Sequence, residues 1–576
     1  MTKKQAASRA PIGTKVAPAA GMQVSGSLPF SVGPSSYRNS NPFIFGAGNI
    51  LAVPRLESAT REVIRERNQG VANARKVDRD NPHIKSGITK RAVNIVGADL
   101  KLKVRPNWQA LGLSRTEGPR FAADLAAIVE PLFEVWGNDP RLLCDAARRG
   151  TFGAKMLLAA RNVFGAEGEC FIISRFDQKR QRKLRAQFAT FIEVVDPTRI
   201  STPHDLAPSR FLQNGKQLDE YGAATGFYIE SVEPSGDSKP MQSWQLIPRE
   251  DKWGRPIGIH WFFESRAGAQ RAMPAIIASL RHVKMLDDFD DATLQTAVVN
   301  AILSIFVESD STAADVLAKL QAAPTKGGSG TSDLLEMWDK RFDFYNTQDL
   351  QANGSRIPVL PPGDKIHMQT ANRAADSTKD FRMAFHRAFA SELNLNYEMF
   401  SSDYSEGSFA KARQSLIDLW RIVTCDRILF TSHVARQIYV GFFEELYLTG
   451  YLPMLNGMPD FWDNISAYTG CEFIGPAMGW VDPNKDIEAT NKRVASGMGN
   501  IRAEAFNQGE DIYRNIDDMA AVHQYAESQG VLLPTMIAAM EAETARKAAM
   551  TATTAAEAPE DPDPAEEETD DEEDSQ

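Results

Sequence analysis

The sequence predicts an α+β protein of several subdomains, and three observations carry that prediction. A helical stretch from Asn81 ends near Gly97 and gives way to Leu100-Lys-Leu-Lys-Val-Arg105, in which every second residue is apolar. Residues 188–263 read mostly as strands punctuated by Pro and Gly. Two strongly helical segments, one opening at Pro274 and one at Ser377, then flank an insert. With 576 residues, 43% of them hydrophobic, the chain exceeds the roughly 250–300 residues at which a single core stops growing.

Taken in order, the chain begins with a polar stretch that holds Lys3, Lys4, Arg9, Lys15 and Arg38 and has no acid before Glu57. Its Ala, Pro, Gly, Ser and Lys alternate without the apolar core of a signal peptide, so export is not expected. Residues 119–164 read as helices, around Phe121–Trp136 and Phe152–Asn162. The strand Glu169–Arg175 follows, then Thr190–Val195, Gly226–Ser231 and Gly258–Phe263 as the clearest strand runs. Pro274 suits a first helical turn, and neither Pro nor Gly recurs before about Val307; thirty-odd residues at a 1.5 Å rise give roughly 50 Å. Ile276, Leu280, Val283, Leu286, Leu294, Val298, Ile302 and Ile305 line one side of it. Ala292–Val307 is the most apolar part, but it is shorter than the roughly 20 residues a membrane span needs and carries Gln295 and Asn300, so packing against protein is expected.

Within residues 308–369 the sequence predicts a helix near Ala313–Ala322, a flexible Lys326-Gly-Gly-Ser-Gly330, a helix over Asp333–Tyr345 and an edge strand at Arg356–Leu360. A helix then starts at Ser377, whose side chain can cap the amide near Asp380, and stacks Phe381, Phe385 and Phe389 at four-residue spacing, a packing stripe. The run from Asn394 to Gly407 is too rich in Asn, Ser, Asp and Gly to continue a helix without a break. From near Ser408 the chain is helical again, with Phe409–Tyr447 a long helix or a pair, Trp462–Trp480 loop and strand, and helices around Asn484–Ser496, Arg502–Asn507 and Asp511–Gln529. Residues 557–576 hold twelve acids and no base, which leaves 64 bases against 63 acids in the rest of a chain whose formal charge is −11. Both ends read as solvated tails. No repeat of 20 to 50 residues is visible, so a solenoid is disfavoured.

Several chemistries are excluded. There is no GxxxxGK[ST] phosphate cradle; Lys326-Gly-Gly-Ser-Gly330 lacks the following Lys and a preceding buried strand. Eight dispersed histidines without HExxH, and four cysteines (Cys144, Cys170, Cys425, Cys471) without a CxxC pair, argue against a zinc site or a disulfide framework and for a reducing compartment. No metal and no cofactor is expected. Asp287, Asp288, Asp290 and Asp291 suggest a two-metal nuclease only until helical geometry is applied, because neighbouring helical positions fan out around the axis. They read either as a solvated face or, if copies of the chain form a ring, as an acidic belt that repels phosphates.

A set of collinear motifs narrows the assignment. In order they are Trp136-Gly-Asn-Asp-Pro-Arg-Leu-Leu-Cys-Asp145, Glu167-Gly-Glu-Cys-Phe-Ile172, Val195-Asp-Pro-Thr-Arg-Ile200, His260-Trp-Phe-Phe-Glu264, Arg271-Ala-Met-Pro274 and Pro361-Pro-Gly-Asp364. Then come Asn396-Tyr-Glu-Met-Phe-Ser-Ser-Asp-Tyr-Ser405, Phe409-Ala-Lys-Ala-Arg-Gln-Ser-Leu416 and Trp480-Val-Asp-Pro-Asn-Lys-Asp486. With these motifs, roughly residues 40 to 530 resemble the portal proteins of tailed bacteriophages, specifically the lambda-type family. The family usually has Asn-Tyr-Ser-Ser after the loop where this chain has Gly407-Ser-Phe-Ala410, which keeps an aromatic at Phe409 but not the hydroxyls.

The resemblance implies a portal fold in a ring, usually of twelve copies, around a DNA channel at one capsid vertex, in a protein made in the host cytoplasm. Residues 1–40 would be a disordered basic tail, 41–273 the first part of a wing, 274–307 the first stem helix and 308–369 the clip. Residues 370–394 would be the second stem helix, 395–411 the tunnel loop, 412–483 the second part of the wing, 484–548 the crown and 549–576 a disordered acidic tail. It implies no enzymatic activity. Its implied partners are double-stranded DNA bound without sequence specificity, terminase large subunit, major capsid and scaffold proteins and the head-tail connector, with no membrane. Phe400, Ser401, Ser402, Asp403, Tyr404, Ser405, Glu406 and Gly407 would form the tunnel loop. Lys411, Arg413, Arg382 and Lys379 would meet phosphates, or else pair with acids on a neighbouring helix or subunit. Two other classes remain: a metal-dependent DNA-processing enzyme built on the aspartates of the long helix, and a scaffold or capsid-wall protein without an axial channel.

Overall fold

Ser58 opens the first helix, α1 (Ala59–Asp80), by accepting the amide of Arg61, and Asn81 does the same for His83 and Ile84 of α2 (Pro82–Val96). The computed structural model describes residues 58–231, 243–302, 306–309, 343, 351–352, 355–356, 364–367, 374–405, 409–453, 458–479, 483–534, 536–537 and 540–547. Both predicted tails and nearly all of the segment predicted between Ala313 and Tyr345 lie outside the described residues, as does most of the predicted edge strand at Arg356–Leu360.

Gly97 ends α2 in a positive-φ conformation that a side chain would strain, and β1 (Lys101–Val104) follows as its alternation predicts. Helices α3 (Glu117–Gly137) and α4 (Phe152–Val163) lead into β2 (Glu169–Phe176), the short helix α5 (Gln178–Leu184) and β3 (Thr190–Val195). Then come β4 (Leu212–Gln213), β5 (Lys216–Leu218), β6 (Ala224–Ser231), β7 (Ser243–Pro248) and β8 (Gly258–Phe262). These strands make two antiparallel sheets, ordered β3-β2-β8 and β4-β5-β6-β7. Strand β2 is buried on both faces. Phe171 and Ile173 pack with Val195, Phe227, Ile229 and Ile247 between the sheets, while Cys170 and Ile172 join the main core. A doubly buried strand reads as a continuous apolar run, as Cys170–Ile173 does.

Helix α6 spans Leu280–Ile302, so the expected helix from Pro274 to Val307 is corrected at both ends. Residues 275–279 are turn rather than helix: the Ala275 amide donates to Gly165 O at 2.9 Å and the Ile277 amide to Pro274 O at 3.2 Å. At the far end Val307 lies in β9 (Phe306–Ser309), opposite Ile366 of β12 (Asp364–His367); β10 (Gln351–Ala352) and β11 (Ser355–Arg356) pair with each other. Helix α7 (Ala374–Glu392) begins ahead of the predicted Ser377. A one-turn helix, α8 (Tyr397–Ser401), interrupts what the sequence shows as loop. Helix α9 (Phe409–Phe430) runs through a π-helical turn, Thr431–Ala435, into α10 (Arg436–Leu448), a bulge of the sort that re-aims a long helix. After α11 (Ile465–Tyr468), β13 (Cys471–Ile474) pairs with β1 and ties the end of the core to its beginning. The three predicted C-terminal helices follow as α12 (Pro483–Ala495), α13 (Ile501–Asn507) and α14 (Ile512–Ser528).

The main core is aromatic. Phe133 packs edge-on to Phe152, Phe442, Tyr439 and Phe473, so α3, α4, α10 and β13 meet at one ring. The Trp136 indole donates to Thr190 O at 2.8 Å, which satisfies its buried N–H. Among the described residues no helix is long and apolar enough to cross a membrane, and no three His, Cys, Asp or Glu side chains are grouped to hold a metal ion.

Candidate functional site

The aromatic stripe of α7 packs on α6. Phe381 meets Phe289 at 4.4 Å between ring centroids and Phe385 meets His282 at 5.9 Å, so position rises along one helix as it falls along the other: the pair is antiparallel. Exposure falls along the stripe from 37% at Phe381 to 9% at Phe385 and 1% at Phe389, so the stripe enters the core at the end that leads to α8.

That end is held by long-range contacts. Glu392 Oε1 accepts the amides of Ala278 (2.9 Å) and Ser279 (3.2 Å), capping the start of α6 from the end of α7. Burial raises the Glu392 carboxyl to about 7 despite those two amides. Asn394, at φ +50°, then turns the chain, and Phe400 of α8 inserts against Gly87 of α2. A Cβ on Gly87 would sit 2.6 Å from Leu393 Cδ1 and 2.8 Å from Phe400 Cε2, so only glycine leaves room. Lys90 of α2 fastens the same turn by donating to Met399 O and Ser402 Oγ, each at 2.7 Å.

Eight residues from Phe400 to Gly407 were expected to form the loop, and the structure divides them. Phe400 is 2% exposed and is a core residue. Ser401 faces inward enough to bond Tyr397 O at 2.7 Å, and Ser402 ends α8 at φ +58°. Asp403, Tyr404 and Ser405 form the outer part, with Tyr404 70% exposed. Hydrogen bonds from Ser405, with a smaller one from the Tyr397 hydroxyl, hold the Asp403 carboxyl below its ordinary range, so the tip keeps its negative charge. Glu406 and Gly407 lie outside the described residues.

Of the candidate phosphate-binding cations, Arg382 and Arg413 have acidic partners on neighbouring helices. Arg382 pairs with Asp290 at 2.8 Å, linking α7 to α6, and Arg413 pairs with Asp486 at 2.8 Å, linking α9 to α12. Lys379 and Lys411 are exposed. Arg387 stacks its guanidinium 5.4 Å from the Tyr397 ring centre. Asp287 accepts Asn81 Nδ2 at 3.3 Å, and burial, with repulsion from Asp290, Asp291 and Asp288, raises its carboxyl. Asp287 and Asp291 are exposed, Asp288 and Asp290 half-buried.

Away from the loop, four of the scattered motifs meet at Glu169 of β2, which is fully buried. Its Oε1 accepts Arg67 Nη2 at 2.7 Å and Arg271 Nη2 at 2.5 Å, and its Oε2 lies 3.3 Å from His260 Nε2. Arg271 also donates to Pro197 O (2.8 Å) and Ile200 O (2.9 Å), which brings in the Val195–Ile200 motif. Burial alone would raise the Glu169 carboxyl, but Arg271 and Arg67 hold it well below the usual range. Burial, then the nearby Lys216, pushes the His260 imidazole down to about 3, so it is neutral; burial brings the Lys216 ammonium down to about 7. The cluster binds sheet to helix through Arg67 of α1.

Comparison with known proteins agrees with the collinear motifs. A family model described as "Phage portal protein, lambda family" matches residues 51–427. The portal protein of Escherichia phage N15 is 26% identical over 462 residues, 80% of this chain and 84% of the relative. Portal protein B of Escherichia phage lambda is 26% identical over 463 residues, with the same coverage. Solved structures that match include a chain from the neck of an empty gene transfer agent particle computed with C6 symmetry, at 11% identity, TM-score 0.41, over 77% of this chain and 94% of that one. A chain from the virion of a native gene transfer agent particle matches at 11% identity, TM-score 0.38, over 77% and 93%.

Proposed function

The chain belongs to the lambda family of phage portal proteins, and from that premise we propose that it assembles as a closed ring, of about twelve copies, around a DNA channel at one vertex of the capsid. The observation that carries this is the match to two portal proteins over four-fifths of the chain. In this role the ring starts head assembly with major capsid and scaffold proteins, docks the terminase large subunit during packaging, and later holds the head-tail connector and passes DNA out. ATP hydrolysis belongs to the terminase, consistent with the missing phosphate cradle.

Helices α6 and α7 serve as the stem, the residues between them as the clip, the two sheets and the main core as the wing and α12–α14 as the crown. The tip Asp403–Ser405 touches the duplex. Such a contact must be weak, because a surface that neutralises many phosphates at once holds the duplex still. Three features of the tip fit that need: Asp403 stays ionised, Tyr404 offers a ring face without sequence readout, and the anchored Phe400 keeps the tip in place. Arg382 and Arg413, already paired within the chain, have less charge to offer phosphates.

Light scattering and class averages of negatively stained, purified protein test the proposal. A closed ring of about a dozen subunits with a central hole is the expected result. A stable dimer that cleaves plasmid DNA in the presence of a divalent metal, and loses that activity on Asp287→Ala, would replace it with the enzyme reading.

A further inference from the structure

A concentrated basic surface of the described chain lies outside the loop and the helices α6 and α7. Between Arg175 and Arg185 six of eleven residues are basic and only Asp177 is acidic. The chain outside its acidic C-terminal run is otherwise almost balanced, so this stretch is a local concentration of charge. It forms α5, in the connection between β2 and β3, and it does not stand alone: the turn before α4 adds Arg141, Arg148 and Arg149.

The two segments are built into one platform. Arg141 donates to Leu184 O at 3.1 Å and to Arg185 O at 3.4 Å, and Arg148 Nε donates to Arg141 O at 3.1 Å. Arg180 reaches the other way, bonding Leu143 O (3.1 Å) and Asp145 O (3.0 Å) while stacking 4.0 Å from the centre of the Phe191 ring. Three cations are thus spent on holding the backbone. Leu142, Arg148 and Arg185 have φ of +56°, +53° and +49°, strained values that non-glycine residues adopt only when their surroundings enforce them. Against this support, Arg149, Lys179, Arg182 and Lys183 are exposed, and none forms an ion pair with a described residue.

We infer that this platform is a second DNA-binding surface, which holds the phosphate backbone of double-stranded DNA without reading its sequence. Arginine and lysine presented on a fixed frame suit phosphate oxygens. The inference rests on the proposed function only in taking DNA as the polyanion. Because the cations lie on elements other than the loop, phosphates can be held here while contact at the loop stays weak.

The test is duplex binding by full-length protein, wild type against the fourfold variant Arg149→Gln, Lys179→Gln, Arg182→Gln, Lys183→Gln, with a labelled 30-base-pair duplex in fluorescence anisotropy between 50 and 200 mM salt. None of these four side chains bonds to a described residue, so the circular dichroism spectrum should not change. Each phosphate contact contributes about −0.9 to the slope of log K against log salt, so the variant's slope should be shallower by about 3 to 4, equally for AT-rich and GC-rich duplexes. An unchanged slope overturns the inference. So does a variant that differs from wild type in particle mass but not in slope, which would make the platform a subunit interface. If a synthetic peptide of residues 557–576 binds wild type but not the variant while the duplex binds both equally, the platform takes the acidic tail instead and DNA is excluded. Ring formation, read separately from mass and class averages, fails or succeeds independently of the slope.

Discussion

Replacing Phe400 with alanine tests whether the candidate loop is positioned from below, by the core, rather than by its own sequence. The ring is 2% exposed and fills the space above Gly87, beside Phe389 and His386. Removing a buried Phe side chain costs about 3–5 kcal/mol where the site cannot collapse. Collapse is limited here, because Lys90 fixes Met399 O and Ser402 while the Glu392 cap fixes the end of α7. At 1.4 kcal/mol per tenfold, the turn from Leu395 to Ser402 should open about 100- to 4,000-fold more often. Hydrogen exchange reads this directly: the Leu395 amide, bonded to Ala390 O, and the Phe400 amide, bonded to Asn396 O, should exchange faster by that factor, up to the limit set by global unfolding. Tyr404→Ala, at a side chain 70% exposed, should leave both amides unchanged. If Phe400→Ala folds and its exchange at these amides stays within threefold of wild type, the anchoring argument is wrong.

Two further perturbations follow from the buried charges. Glu169→Gln keeps the shape but leaves Arg67 and Arg271, each at most 5% exposed, without their counter-charge; breaking a buried pair costs about 3–5 kcal/mol. The midpoint of thermal unfolding should fall by several degrees, and a midpoint equal to that of wild type would show that the cluster contributes no net stability. At Glu392 the folded carboxyl titrates at about 7 instead of the ordinary 4.5, because burial favours its neutral form. Its folded pKa is raised, so the stability it supports is fully present below pH 4.5 and is lost as pH rises through 4.5 towards 7. Glu392→Gln, which retains an acceptor for Ala278 and Ser279, should stabilise the protein more at pH 8 than at pH 5. Equal effects at the two pH values, measured by urea denaturation, would rule this out.

Where the sequence was legible, local forces decided the structure; where it was not, a distant residue did. The α3, α4 and α12–α14 ranges follow from their helix-forming runs between Pro, Gly and Asn breaks, and β1, β3, β6 and β8 from alternation and branched side chains. Pro274 failed as a helix start because the amides that open α6 are capped by Glu392, more than a hundred residues later, and no local pattern announces such a cap. Helix α1 carries too little apolar surface to be recognised, since its buried side is made of Val63, Arg67, Gly70, Val71 and Ala74. Phe400 sits among residues typical of loops, and what buries it is a glycine on another helix. The basic platform eluded sequence reasoning because its two halves, Arg141–Arg149 and Arg175–Arg185, become one surface only through hydrogen bonds to backbone carbonyls.

The Glu169 cluster explains why motifs so weak singly were informative together. Glu169, His260, Arg271 and the Pro197–Ile200 carbonyls come from four separate stretches: Arg271 satisfies the Glu169 carboxylate and the Pro197 and Ile200 carbonyls, and His260 packs 3.3 Å from the same carboxylate. Losing any one of them leaves the rest with an unpaired charge or an orphaned carbonyl in a water-free site, a far larger penalty than loss of an exposed pair such as Arg382–Asp290. Residues bound by such a closed set cannot change one at a time, whereas residues at an exposed tip such as Tyr404 can. The motifs that mark this family are therefore residues that hold its architecture together.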